Sequence, residues 1–123
     1  MPRVNLVLFR DVDGSAPLRQ WLASLPAKVQ DKCVARMRRL QELGHELRRP
    51  EADFVRDGIY ELRVGFSGSN YRMLYFFHGG TAAIISHGIV KERRVPPIEI
   101  ERAVQRMRMF KANPSLHTME IEL

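Results

Sequence analysis

The spacing of hydrophobic residues changes along this chain, and each change marks an element. Residues 4–9 are apolar apart from Asn5 and predict a first strand. Asp11-Val12-Asp13-Gly14 reads as a turn. A helix is predicted from about Ser15, with Pro17 in its first turn, where a missing N–H costs nothing. Leu18, Trp21, Leu22 and Leu25 recur at the spacing of one helical face. Pro26 starts a second helix with the stripe Val29, Cys33, Met37, Leu40 and Leu43, and Gly44 stops it. Residues 15–44 therefore predict a helical hairpin.

Residues 45–57 are polar, contain Pro50 and read as a connection. The period then drops to two. Tyr60, Leu62, Val64 and Phe66 alternate with Glu61, Arg63 and Gly65. After the turn Ser67-Gly68-Ser69, Tyr71, Met73, Tyr75 and Phe77 face one way, and Arg72, Leu74, Phe76 and His78 the other. Gly79-Gly80 turns the chain into a last strand, residues 81–90, which Pro96-Pro97 breaks. A third helix follows, with Ile100, Ala103, Val104 and Met107 on one face, and Asn113-Pro114 ends it. The predicted order is β-α-α-β-β-β-α, an α+β fold with the hairpin packed on one face of a mostly antiparallel four-stranded sheet built from residues 4–9, 58–66, 70–78 and 81–90. The other face is expected to be partly open. One domain is expected over 1–112, with a tail, 113–123, that is flexible or adds a short element.

Composition narrows the class of partner. Twenty Lys and Arg stand against fourteen Asp and Glu, a formal charge of +6 that suits nucleic acid, a ribosome or an acidic protein. One cysteine, Cys33, excludes an internal disulfide and lies on a helical stripe as a small core residue. No apolar run approaches the length of a membrane span, and Met1-Pro2-Arg3-Val4-Asn5 has no signal-peptide core, so a cytoplasmic protein without a membrane partner is expected.

Candidate chemistry concentrates in the strands. Arg63 and Arg72 sit among apolar neighbours, where an arginine loses side-chain entropy and risks desolvation. If they share the open face, two guanidinium groups converge on a phosphate and stabilise charge that builds on its oxygens. The plainer reading pairs them with a neighbour such as Glu61. His87 could serve as general base or acid; flanked in alternation by Ile85 and Ile89, it also fits the edge of a core. Lys91, Arg93 and Arg94 read as a solvated loop or as a grip on phosphates at the cleft mouth. His45, His78 and His117 read as structural or solvated. Tyr71, Tyr75, Phe76 and Phe77 fit the core as well as they fit base stacking. Arg36, Arg38 and Arg39 read as a solvated helix face. No histidine pair has metal-ligand spacing and Cys33 has no partner, so neither metal nor cofactor is expected.

The strings Tyr60-Glu61-Leu62-Arg63, Tyr71-Arg72-Met73-Leu74-Tyr75 and His87-Gly88-Ile89-Val90-Lys91 resemble the RelE/ParE toxin superfamily, in particular its phage-derived HigB-like branch, over roughly residues 4–110. The resemblance implies a RelE-like fold and the toxin of a type II toxin–antitoxin pair, a ribosome-dependent mRNA endonuclease that needs no metal. It implies a cognate antitoxin, a small helix-turn-helix protein, and the ribosome with its mRNA as partners. It places Arg63 and Arg72 in the active cleft and leaves Glu61 open; beside them His87 is the further catalytic candidate, and Lys91, Arg93 and Arg94 are the RNA-binding candidates. Two departures stand out. Relatives show H-G-F-x-K-K where this chain has Ile89 and Glu92, and many carry a C-terminal tyrosine where this chain has none after Tyr75. Either His87 takes part of that role, or catalysis is slow or lost. A ParE-like gyrase inhibitor and a non-catalytic RNA- or protein-binding member of the fold are the alternatives.

Overall fold

The computed structural model describes residues 3–90 and 93–123. Its elements run β1 (Asn5–Phe9), α1 (Pro17–Ala23), α2 (Ala27–Leu43), a 3-10 turn (Gly44–Glu46), β2 (Ala52–Arg56), β3 (Ile59–Phe66), β4 (Ser69–His78), β5 (Ala82–Val90), α3 (Pro97–Ala112) and β6 (Thr118–Glu120). Pro17 and Pro97 each occupy the first helical position, where fixed φ favours the helix and the absent N–H has no partner to lose. None of these helices is long and apolar enough to cross a membrane.

The fold is α+β as expected, but the sheet has six strands rather than four, in the order β2-β3-β4-β5-β1-β6. Only the β1–β5 pair is parallel; β2–β3, β3–β4, β4–β5 and β1–β6 are antiparallel. The added strands lie at the two edges. β2 falls inside residues 45–57, which the polar pattern reads as a connection. Its signal is the dipeptide after it: Asp57 and Gly58 both take positive φ, +54° and +85°, and close a two-residue hairpin from Arg56 to Ile59. β6 is three residues long and exists because β1 offers it an edge, pairing Leu8 with Met119. Such a strand has no periodicity of its own.

The hairpin covers one face of the sheet. Leu6, Leu8, Leu62, Val64, Met73, Tyr75 and Ile85 pack there with Leu18, Val29, Cys33, Met37 and Leu40 of the two helices. Cys33 is fully buried, which pushes its thiol pKa up to about 11 and leaves it inert as a nucleophile. On the opposite face, Val7, Phe9, Ile59, Leu74, Phe76 and Ile84 pack against Ile100, Ala103, Val104 and Phe110 of α3.

A bulge in β5 decides which way its chemistry points. Leu74 pairs with His87 but Tyr75 with Ile85, so Ser86 is the extra residue. The alternation Ile85, His87, Ile89 is therefore broken. Ile85 lies in the hairpin-side core and Ile89 in the α3-side core. Gly88 turns instead to the hairpin, where the Trp21 ring occupies the space a side chain would need.

Candidate functional site

The α3-side core stops short of the β3–β4 turn. Past Ile59 and Leu74, the same face carries Glu61, Arg63 and Arg72. Arg63 and Arg72 stand directly opposite each other in the β3–β4 register, and Glu61 lies two residues before Arg63, so all three side chains emerge on one face. The expected convergence of the two arginines is present, and a carboxylate binds it together. Glu61 Oε2 accepts from Arg63 Nε at 2.9 Å, and Oε1 accepts from Arg72 Nη1 at 3.1 Å. The Glu61 side chain is 5% exposed, that of Arg72 14% and that of Arg63 36%. Arg63 also donates to Asp53 of β2 at 3.2 Å, and Asp53 in turn accepts from Arg49 at 2.8 Å. The Arg49 guanidinium holds the Asp53 pKa below the usual carboxylate range, against the opposing effect of its partial burial.

These residues line a cleft of about 580 Å³, together with Phe54, Val55, Arg93, Arg94, Val95 and Ile100. Four arginines thus face one carboxylate. Arg63 and Arg72 form the floor, and the exposed Arg93 and Arg94 stand where the chain enters α3. The Arg72 Nε is buried and has no hydrogen-bond partner among the described residues. A buried charged donor in that state is costly. On the other side of β3, Arg36 of α2 donates to the Arg63 carbonyl at 2.5 Å, fixing the backbone beneath the pair.

His87 does not line the cleft. Its side chain is 8% exposed and both ring nitrogens are engaged: Nδ1 lies 2.8 Å from Ser86 Oγ and Nε2 lies 3.0 Å from Glu99 Oε1. A single directed chain satisfies every group. Arg106 donates to Ser86 Oγ, the Ser86 hydroxyl donates to Nδ1, Nε2–H donates to Glu99, and Glu99 also accepts from Arg102 at 2.6 Å. Burial, with the Arg106 guanidinium adding to it, lowers the His87 pKa to about 4 despite the opposite pull of Glu99. The neutral ring pins the first turn of α3 to β5.

Lys91, expected at the cleft mouth, lies outside the described residues. His45 stacks on Phe77 with ring centroids 3.6 Å apart, and His78 meets the edge of Phe110. His117 is buried, stacks on Phe9 and donates from Nδ1 to the Arg10 carbonyl at 2.7 Å, so it holds the C-terminal segment in place. Arg39 forms a two-pronged pair with Glu51, at 2.9 Å on both arms, away from the cleft. Among the described residues, no three His, Cys, Asp or Glu side chains are placed to hold a metal.

The clamp by Glu61 was legible only as an open possibility, since its i, i+2 spacing to Arg63 says that the two share a face but not that Arg72 joins them. Asp53, Phe54 and Val55 carry no signal of their own, because the strand that bears them lies in a polar stretch that contains Pro50.

A family model described as phage derived protein Gp49-like (DUF891) matches residues 20–108, a span that contains every residue of the cleft. Comparison with curated proteins gave no match.

Proposed function

The chain belongs to the phage-derived Gp49-like family, within the RelE/HigB-like toxin superfamily, and on that basis we propose that it is the toxin of a type II toxin–antitoxin pair, an endoribonuclease that cuts translated mRNA on the ribosome. The observation that carries the reading is the Arg63–Arg72 pair, locked by Glu61 at the floor of a cleft with Arg93 and Arg94 at its entrance.

In the proposed reaction, the 2′-oxygen of a ribose attacks the adjacent phosphorus while the bond from phosphorus to the 5′-oxygen breaks. The 2′ proton leaves to solvent and the 5′-oxygen takes one up. Arg72, its side chain 14% exposed at the floor of the cleft, turns its guanidinium toward the phosphoryl oxygens. Arg63, partly exposed, adds the second cation. Preorganised donors of this kind lower the barrier because they need no reorganisation as charge develops. Arg93, Arg94 and Lys91 hold the flanking backbone. The proton-shuttle role weighed for His87 drops out of this proposal, since its ring faces Glu99 and Ser86 and not the cleft. The partner is a cognate antitoxin, a small helix-turn-helix protein whose acidic surface covers the arginines.

The second reading is a non-catalytic member of the fold, for instance a ParE-like gyrase inhibitor. It is favoured by the side chains that line the cleft, which include no histidine, lysine or tyrosine among the described residues.

Induced expression in a bacterium, with primer extension on a translated message, tests the proposal. New 5′-OH ends are expected, and Arg72→Ala is expected to reduce cleavage about 10²–10³-fold. A folded Arg72→Ala protein that cuts like wild type overturns the assignment. Inhibition of supercoiling without any cut message establishes the second reading.

A further inference from the structure

The Arg63–Arg72 pair has a cavity on each side. Besides the cleft toward Arg93 and Arg94, a second cavity of about 330 Å³ shares Arg63 and Arg72 and is completed by Arg36, Pro50, Gly65 and Asn70, with Val64 and Tyr71. Gly65 and Asn70 are paired with each other one rung beyond Arg63 and Arg72, so they lie on the arginines' face of the sheet.

Gly65 is unexplained by the fold. It sits inside β3, where a glycine weakens the strand. Its φ is not in the left-handed region, so the backbone does not require glycine. A Cβ placed there would meet nothing within 4 Å, so close packing does not require it either. What the missing side chain provides is open space beside two guanidinium groups.

A phosphate seated on Arg72 carries two ester oxygens. A terminal phosphate continues on one side only, whereas an internal phosphodiester continues on both, as the two cavities do. We propose that the cavity floored by Gly65 is a nucleotide seat, taking the nucleoside on the side of the phosphate opposite Arg93 and Arg94. Arg36, which donates to the Arg63 carbonyl and pairs with Glu51 at 3.6 Å, closes its outer wall. This rests on the nuclease reading above and adds to it where the second nucleoside flanking the phosphate sits.

Gly65→Val separates seat from scaffold. Valine is the better strand former, so thermal stability is expected to hold or rise, while the filled cavity lowers cleavage of a translated message about 10–100-fold. An amide-shift titration of the wild-type protein gives an independent measure. Inorganic phosphate is expected to shift resonances of Arg63 and Arg72 only. A trinucleotide with 2′-deoxyribose, which cannot be cut, is expected to shift Gly65 and Asn70 as well as Val55 and Val95. Shifts confined to the Val55 and Val95 side, or wild-type cleavage by Gly65→Val, overturn the seat and leave the nuclease reading standing. A wild-type protein that cuts no message removes the nuclease reading, while shifts at Gly65 and Asn70 would still support a nucleotide seat. If Gly65→Val cuts normally but loses the antitoxin, the cavity belongs to the protein partner and the proposal is wrong.

Discussion

On the hairpin side of the sheet, α1 and α2 reach across from β1 to β3 and pack by shape; the Trp21 ring fills the space that a side chain at Gly88 would need. On the α3 side a single helix covers the β1, β4 and β5 region, and where it ends Ile59 and Leu74 give way to Glu61, Arg63 and Arg72. One face is closed by volume and the other is half closed by volume and half by charge. The difference locates function. The closed middle of the first face has nothing to offer a ligand, whereas the uncovered end of the second holds partly desolvated cations on a strand pair. It also makes the faces separable by experiment: changes on the hairpin side should move stability without chemistry, and changes at the far end of the α3 side should move both or chemistry alone.

The largest expected effect comes from Glu61→Gln. It removes the one charge that both arginines share and leaves two guanidinium groups directly across from each other. Breaking a buried ion pair from one side is strongly destabilising, and Arg63's access to solvent moves the figure toward the low end, about 3 kcal/mol. Denaturant unfolding measures it. Cleavage is expected to fall with stability, and Glu61→Asp, which keeps the charge on a shorter stem, to recover part of each. A Glu61→Gln protein as stable and as active as wild type would show that the cleft is not organised by this clamp.

Next is the acid response of the α3 anchor. The His87 pKa lies near 4 in the folded chain, below the ordinary value of about 6.5, because the buried ring faces Arg106 and the neutral form fits the Ser86 and Glu99 partners. Below pH 6.5 the unfolded chain therefore binds a proton that the folded chain refuses. The stabilisation is fully present above about pH 6.5, falls as the pH drops toward 4, and is flat below that. At pH 5 the loss is roughly 2 kcal/mol. The difference in unfolding free energy between wild type and His87→Gln, followed from pH 7 to pH 4, isolates it from the carboxylates. An unchanged difference across that range would mean that the ring titrates in the fold as it does in the unfolded chain.

This anchor also shows where sequence reading stops. The central strands and the hairpin were legible because long stripes and strict alternation survive any tertiary context. The convergence of Arg63 and Arg72 was legible because alternation puts both on the face opposite the apolar one. His87 was not, because its direction depends on the bulge at Ser86, and a bulge leaves no mark in the alternation of Ile85, His87 and Ile89. β2 was missed for a different reason. Its residues, Ala52-Asp53-Phe54-Val55-Arg56, are individually poor evidence for a strand, and the one strong hairpin signal, Asp57-Gly58, lies after them. β6 could not have been found, since three residues become a strand only once β1 offers them an edge.

Gly88→Ala probes the closed face. An added Cβ would stand 2.2 Å from two atoms of the Trp21 ring, far inside van der Waals contact. Trp21 is half-buried and has room to yield, so the cost is expected in the lower part of the range for overpacking, roughly 1–2 kcal/mol. The prediction sharpens the comparison because Gly88 is the neighbour of His87 in sequence but lies on the other side of the sheet. Stability should fall and cleavage per folded molecule should stay at the wild-type level. A loss of cleavage beyond the loss of folded protein would mean that the two faces communicate through β5.

The smallest effect on the fold is expected from Arg93→Ala and Arg94→Ala. Both residues are exposed and border the cleft only at its entrance. Surface changes of this kind leave stability within about 0.5 kcal/mol. Their effect should appear in the salt dependence of binding. Each phosphate contact with a single strand releases counterions, so the slope of log affinity against log salt should become shallower by about 0.7 for each arginine removed. Arg72→Ala makes a useful contrast, since it removes a contact in the floor and should lower the rate of the chemical step as well. The measurement is RNA binding by the protein free of antitoxin at several salt concentrations, for wild type and the three variants. If the entrance arginines change the cleavage rate at saturating message but leave the salt slope as it was, they belong to the catalytic floor, and the division between a gripping entrance and a reacting floor fails.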